Sequence, residues 1–228
     1  MSLDGLIAEL NDLYAGGEGV WGTYLSGSAA YGGMTDYSDV DYYVLTRDHH
    51  GQSERIIGSR KVEIRWRTED EISLDIAKGG PFIYQLMDAE ISRDPHARIM
   101  ELKSDARERF EMFIPSVDVY KSLQSRLGEA RNKLISASKY GTPEKQGYLT
   151  SIYGSLLLDA IFTVVSKPVA PPAVAWRWLD LLPGLNSEGV DRFKAIFAMD
   201  TSERLGSMVQ YFDEFHGIIS HRLKSGSN

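Results

Sequence analysis

The sequence predicts an α+β chain, with strands early and helices late. Three observations carry this reading. Apolar, β-branched or alternating runs at Val20–Ser26, Val40–Thr46 and Lys61–Arg67 all fall in the first third. Strand signals fade from Glu69 onward. The segments that follow have helical periodicity and open at prolines or small polar residues. A length of 228 residues allows one large domain or two modest ones, each able to bury a core. The change of pattern near Phe113–Val117 predicts domains 1–114 and 115–228.

Leu3, Leu6, Ile7, Leu10, Leu13 and Tyr14 share one face of a first helix, which Gly16, Gly17 and Gly19 stop. Val20–Ser26 ends as a strand at Gly27-Ser28, and Val40–Thr46 is the second strand. His49–Ser59 reads as a polar connector with a turn at Gly58. In Lys61–Arg67, Val62, Ile64 and Trp66 face one side and Glu63, Arg65 and Arg67 the other, which predicts a half-buried third strand. Helices are expected over Pro81–Ala89, Pro95–Phe113, Val117–Tyr140, Pro143–Val165, Ser187–Met199 and Ser202–Leu223. A proline-rich break at Ser166–Val174 precedes a short helix from Trp176, and Lys224–Asn228 is expected to be a disordered tail.

Composition narrows the function. Apolar and charged fractions of 43% and 25% are those of an ordinary globular protein. No apolar run is expected to cross a bilayer, and acids near the N-terminus speak against a signal peptide, so a cytoplasmic location is expected. The absence of cysteine excludes disulfide scaffolds, thiolate zinc sites and cysteine nucleophiles. A net charge of −7 argues against extended nucleic-acid binding and leaves room for one nucleotide held through a metal.

The sharpest signal lies between Leu25 and Leu45. Asp39 and Asp41 are two apart at the start of a strand, so both carboxylates point to the same face. Two such anions repel unless a cation sits between them, and hard oxygen ligands of this kind suit Mg2+. Upstream, the turn at Gly27 and Ser28 offers backbone N–H groups as a phosphate cradle. Alone, an Asp-X-Asp pair is more often solvated surface and a Gly-Ser turn says little. Together, between two apolar strands, they outweigh those readings.

This block resembles the signature of the DNA polymerase β-like nucleotidyltransferase superfamily: Gly-Ser, a short helix with Gly, then Ser-Asp-X-Asp leading an apolar strand. Gly27, Ser28, Gly32, Ser38, Asp39 and Asp41 fill those positions. The resemblance implies a mixed β-sheet with flanking helices, followed by an α-helical bundle domain. It implies that Gly27 and Ser28, with Ser38 beside them, bind the nucleotide phosphates and that Asp39 and Asp41 bind metal. It adds a third carboxylate on a following strand. Glu63 takes that role by pattern, the alternative being a surface Glu paired with Arg65 or Lys61. Tyr31 stands where many relatives carry a basic residue, and either stacks on a base or packs.

The later half resembles, more loosely, the C-terminal domains of small nucleotidyltransferases that modify antibiotics and other small molecules. Asp159 interrupts an apolar helix and is a candidate acid/base, or equally a structural ion pair; Glu129 is a weaker candidate. Lys139, Lys145 and Arg177 read as solvated surface, and Trp176, Trp178 and Phe193 as core. The five histidines show no metal-ligand spacing. The activity implied is transfer of a nucleoside monophosphate, AMP, from a triphosphate to a hydroxyl of a small-molecule acceptor at a two-metal Mg2+ site, releasing pyrophosphate. Alternatives are transfer to a protein or RNA partner and a nucleotide-binding module without turnover. Small relatives that place their site between subunits leave a homodimer open.

Overall fold

The computed structural model describes residues 2–225 and divides the chain into two compact units, Met1–Met112 and Phe113–Asn228. The first is α+β. Helix α1 (Leu3–Tyr14) is capped by the Ser2 side chain, which accepts from the Gly5 N–H. Strands β1 (Val20–Ser26), β2 (Val40–Thr46), β3 (Gly51–Ile57), β4 (Arg60–Thr68) and β5 (Glu90–Arg93) form one mixed sheet in the order β3-β4-β2-β1-β5. Only β2 and β4 run parallel; the other neighbours are antiparallel. A four-residue helix, α2 (Gly27–Ala30), follows β1 directly.

Alternation along the strands sorts residues onto two faces. Val40, Tyr42, Val44, Val62 and Ile64 pack with Leu6 and Leu10 of α1 on one face. Asp41, Tyr43, Glu63 and Arg65 occupy the other. Asn11 of α1 fastens the apolar side: its amide accepts from Thr23 (2.9 Å) and Tyr42 (2.8 Å) and donates to Ser92 of β5 (2.7 Å). At Gly22 of β1 a Cβ would lie 2.5 Å from the Arg93 carbonyl of β5 and 2.7 Å from Ile99 of helix α5 (Arg98–Glu111).

Four details depart from the sequence reading. The expected connector His49–Ser59 contains β3, an edge strand with little apolar patterning, held by a two-residue hairpin at Gly58-Ser59 in which Gly58 takes φ 63°. Helix α3 (Glu69–Lys78) arises from a capping box between Thr68 and Glu71 and ends at left-handed Gly79; its polar composition hid it. Strand β5 is too short to show periodicity and exists through pairing with β1. Helix α4 (Phe82–Asp88) follows expectation, but α5 starts at Arg98 rather than at Pro95, after a turn in which Asp94 accepts from the Met100 N–H (2.9 Å).

The second unit is helical: α6 (Val117–Tyr140), α7 (Pro143–Val164), α8 (Pro172–Trp178), α9 (Ser187–Ala195) and α10 (Thr201–Ser225). Helices α6, α7 and α10 pack on one another, and Leu127, Leu134, Leu157, Ala160, Met208 and Phe212 of these helices are buried. Arg222 of α10 donates to Tyr120 (2.7 Å), to Ser166 (2.9 Å) and to the Val164 carbonyl. Helix α7 is long and apolar enough for a membrane span, against expectation, although its second half is largely buried within this unit. Helix α8 starts at Pro172, before the expected Trp176, and residues 196–198 form a 3-10 turn after α9. Trp178 and Phe193 are core, whereas Trp176 is 43% exposed and edges onto Phe197. Of the expected tail, Lys224 and Ser225 close α10, and residues 226–228 lie outside the described residues.

Asn11→Ala strips partners from three side chains around α1 and is expected to cost about 2–4 kcal/mol of stability. Chemical denaturation of the full chain checks this, and a loss below ~0.5 kcal/mol would contradict the role given to Asn11.

Candidate functional site

The site is one rung of the sheet. In register across four strands lie Ser26 (β1), Asp41 (β2), Glu63 (β4) and Glu54 (β3). Like charges on neighbouring strands destabilise a sheet, so three carboxylates abreast require countercharge. It comes from β4 itself, because Lys61 and Arg65 are two residues either side of Glu63 and share its face. The Lys61 ammonium is 3.0 Å from Glu63 and from Glu54, and 3.7 Å from Asp39. The Arg65 guanidinium is 2.7 Å from Glu63 and 3.7 Å from Asp41, and it donates to the Tyr43 hydroxyl at 2.8 Å.

These contacts set the protonation behaviour. Hydrogen bonds from Lys61 and Arg65 hold the Glu63 carboxyl below its ordinary value. Burial pushes Asp41 above the usual Asp range; Arg65 opposes this, and Glu63 and Asp39 add to it. One row inward, Tyr43 stacks on Tyr24 with ring centroids 4.9 Å apart, and burial raises both phenols.

The β1–α2 junction closes the site from the other side. Gly27 takes φ 64°, and a Cβ there would lie 2.7 Å from an Asp41 carboxylate oxygen. Only glycine provides both the left-handed backbone and the room beside Asp41. Ser26 is buried, and its hydroxyl has no hydrogen-bond partner. An unpaired buried hydroxyl is costly, and its place in register with Asp41 suits a polar ligand there.

The remaining sequence candidates fall around this junction. Ser28 is the second residue of α2, and its carbonyl accepts from the Gly33 N–H (2.9 Å). Ser38 organises the loop ahead of β2: its hydroxyl accepts from the Thr35 N–H (3.0 Å), while its own N–H donates to the Thr35 carbonyl (3.2 Å). Tyr31 caps α2 and lays its ring against Gly33, where a Cβ would come within 2.3 Å of it. Asp39 is exposed, 3.7 Å from the Lys61 ammonium.

Asp159 belongs to the second unit and is ion-paired with Arg126 at 2.8 Å, on the rim of a cavity of about 380 Å³. It is half-buried rather than embedded, because it faces α6 instead of the helix's apolar side. Glu129 pairs with Lys133 at 2.6 Å on the surface. Lys139 and Lys145 are exposed, and Arg177 lies over Trp178. Sequence reasoning named Lys61 and Arg65 as alternative partners of Glu63 and missed Glu54. The alternation in β4 held the first two, whereas Glu54 becomes visible only once Gly51–Ile57 is known to be a strand.

Asp39 and Asp41 carry the hard oxygen donors that a divalent cation takes; the Asp39 charge adds to the raised pKa of Asp41, and Asp41 lies beside Gly27 and in register with Ser26. A second one shared with Glu63 does not fit, since both Glu63 oxygens are engaged by protein cations. Among the described residues no group of three or more His, Cys, Asp or Glu is gathered to hold a metal.

No family model matches the chain, and no curated protein matches it. Among solved structures the chain is similar to the crystal structure of a nucleotidyltransferase-like protein from Exiguobacterium sibiricum 255-15. The identity is 12% and the TM-score 0.43, with 95% of this chain and 75% of that chain covered.

Two outcomes test the geometry. Gly27→Ala is expected to cost roughly 1–2 kcal/mol through the left-handed backbone, and to shift the Asp41 carboxylate signal in NMR spectra; an unchanged Asp41 signal would contradict the close approach. Because the Glu63 pKa is lowered by folding, its contribution is present above the unfolded-state value and lost as pH falls through the folded one. The stability advantage of wild type over Glu63→Gln, measured by denaturation across pH, is therefore expected at neutral pH and to vanish in acid; a pH-independent difference would contradict the pairing.

Proposed function

We propose that the first unit is a nucleotidyltransferase site that transfers AMP from its triphosphate to a hydroxyl of a small-molecule acceptor. The observation that carries this reading is the junction of Gly27 with Asp41. A left-handed glycine just after β1 puts no side chain beside a carboxylate that burial raises in pKa, and the neighbouring residue Ser26 carries a buried hydroxyl without a hydrogen-bond partner. A phosphate chain needs this combination: backbone close enough to approach, and carboxylates for its countercation.

In this reading Gly27 and Ser28 receive the outer phosphates, Ser38 keeps the following loop in shape, and Asp39 and Asp41 orient the charge-bearing end of the nucleotide. Bound between these two carboxylates, Mg2+ would supply charge neutralisation at the phosphates and lower the pKa of an oxygen it holds. The acceptor oxygen bonds to the α-phosphorus, the bond to the β-phosphate bridge oxygen breaks, pyrophosphate departs, and the hydroxyl proton leaves to solvent. Most of the acceleration comes from alignment and charge placement. The helical unit is assigned to the acceptor.

A second reading, a nucleotide-binding module without turnover, is favoured by one observation: Glu63, the third carboxylate of the resemblance, has both oxygens engaged by Lys61 and Arg65.

Calorimetry of the four ribonucleoside triphosphates, with and without Mg2+, separates these outcomes. Wild type is expected to bind a triphosphate only with Mg2+, and Asp39→Asn/Asp41→Asn is expected to lose that binding. Asp41→Asn alone is expected to lower pyrophosphate release roughly a thousandfold. Binding that survives the double substitution would sink the site. Binding without pyrophosphate release across hydroxylated acceptors would select the second reading.

A further inference from the structure

We propose that Lys61 takes the place of a second metal ion, so that the site holds one divalent cation and not two. The inference rests on the reading of Asp39 and Asp41 as metal carboxylates and concerns the side chains that surround them.

Charge and geometry lead to it together. Asp39, Asp41, Glu54 and Glu63 bring four carboxylates to one end of the face, and Lys61 and Arg65 bring two cations among them. The remainder is the charge of one divalent ion. A second such ion would make the cluster positive before any phosphate arrived, and it would have to approach Glu63 past an ammonium and a guanidinium.

The two protein cations are placed differently. Arg65 is 34% exposed and anchored by the Tyr43 hydroxyl as well as Glu63, with its guanidinium over the Tyr43 ring at 5.6 Å. It is a fixed part of the face. Lys61 has no such anchor. Its ammonium reaches three carboxylates on three segments: Asp39 ahead of β2, Glu54 of β3 and Glu63 of its own strand. An ion bridging the same carboxylates would make similar connections. Lys61 is thus a positioning residue. It keeps Glu54 and Glu63 from repelling each other across the β3–β4 pair, while Asp39 and Asp41 are approached by Lys61 and Arg65 only at the longer distance of 3.7 Å.

Removing Lys61 without removing Arg65 should open the second position. The test is Mn2+ alone, titrated into the full chain and counted by electron paramagnetic resonance, with melting curves confirming that each variant is folded. Wild type is expected to bind one Mn2+ per chain, Lys61→Met two, and Lys61→Arg one. Asp39→Asn/Asp41→Asn is expected to bind none. Two ions in wild type would overturn the inference and leave the proposed function standing. One ion or none in Lys61→Met would overturn it too, since Lys61 would then not be occupying a metal position. No binding to wild type, with none in any variant, would instead remove the metal reading of Asp39 and Asp41 on which the inference rests.

Discussion

Three carboxylates held abreast on neighbouring strands are the constraint around which the first unit is arranged. Asp41, Glu63 and Glu54 share a rung of the sheet, and their mutual repulsion would part β2, β4 and β3 if nothing offset it. Lys61 and Arg65 offset it from the same strand as Glu63, and the period of two puts all three on one face. The arrangement differs from a row of isolated surface ion pairs, which contribute little singly. Here each cation touches more than one carboxylate, and each pairing stabilises the strand register as well as the charge.

The rest of the unit makes that rung usable. The apolar face is closed by α1, and Asn11 ties this helix to β1, β2 and β5. With one face sealed, the opposite face has a fixed orientation, since a slip of one residue would exchange the carboxylates with the core. Gly27 then turns the chain sharply beside Asp41, where any other residue would fill the space with a side chain. The buried Ser26 hydroxyl and the raised Asp41 carboxyl are two local costs at this junction, and unmet polar groups of this kind concentrate at binding sites.

Much of this was legible in the sequence, for identifiable reasons. Strands β1, β2 and β4 announce themselves by apolar runs or clean alternation, and the long helices α6, α7 and α10 by periodicity and capping residues. The spacing of Asp39 and Asp41 suggested a shared face, and the structure starts β2 at Val40, so that Asp39 precedes the strand and Asp41 belongs to it. Strand β3 was hidden because an edge strand exposed along most of its length needs no apolar stripe, and β5 because four residues cannot show a period. The partnership of Glu63 was legible only as an alternative: alternation put Lys61 and Arg65 on its face, but their preference over other partners depends on Glu54 being opposite. The ion pair of Asp159 with Arg126 depends on how α6 and α7 pack, which neither helix shows alone.

The most direct measurement is anomalous scattering from crystals grown with Mn2+ and a non-hydrolysable α,β-methylene triphosphate. A manganese peak bonded to oxygens of both Asp39 and Asp41 is expected, with the phosphate chain running beside Gly27. A triphosphate bound elsewhere, or no manganese at the aspartate pair at metal concentrations that saturate the nucleotide, would contradict it.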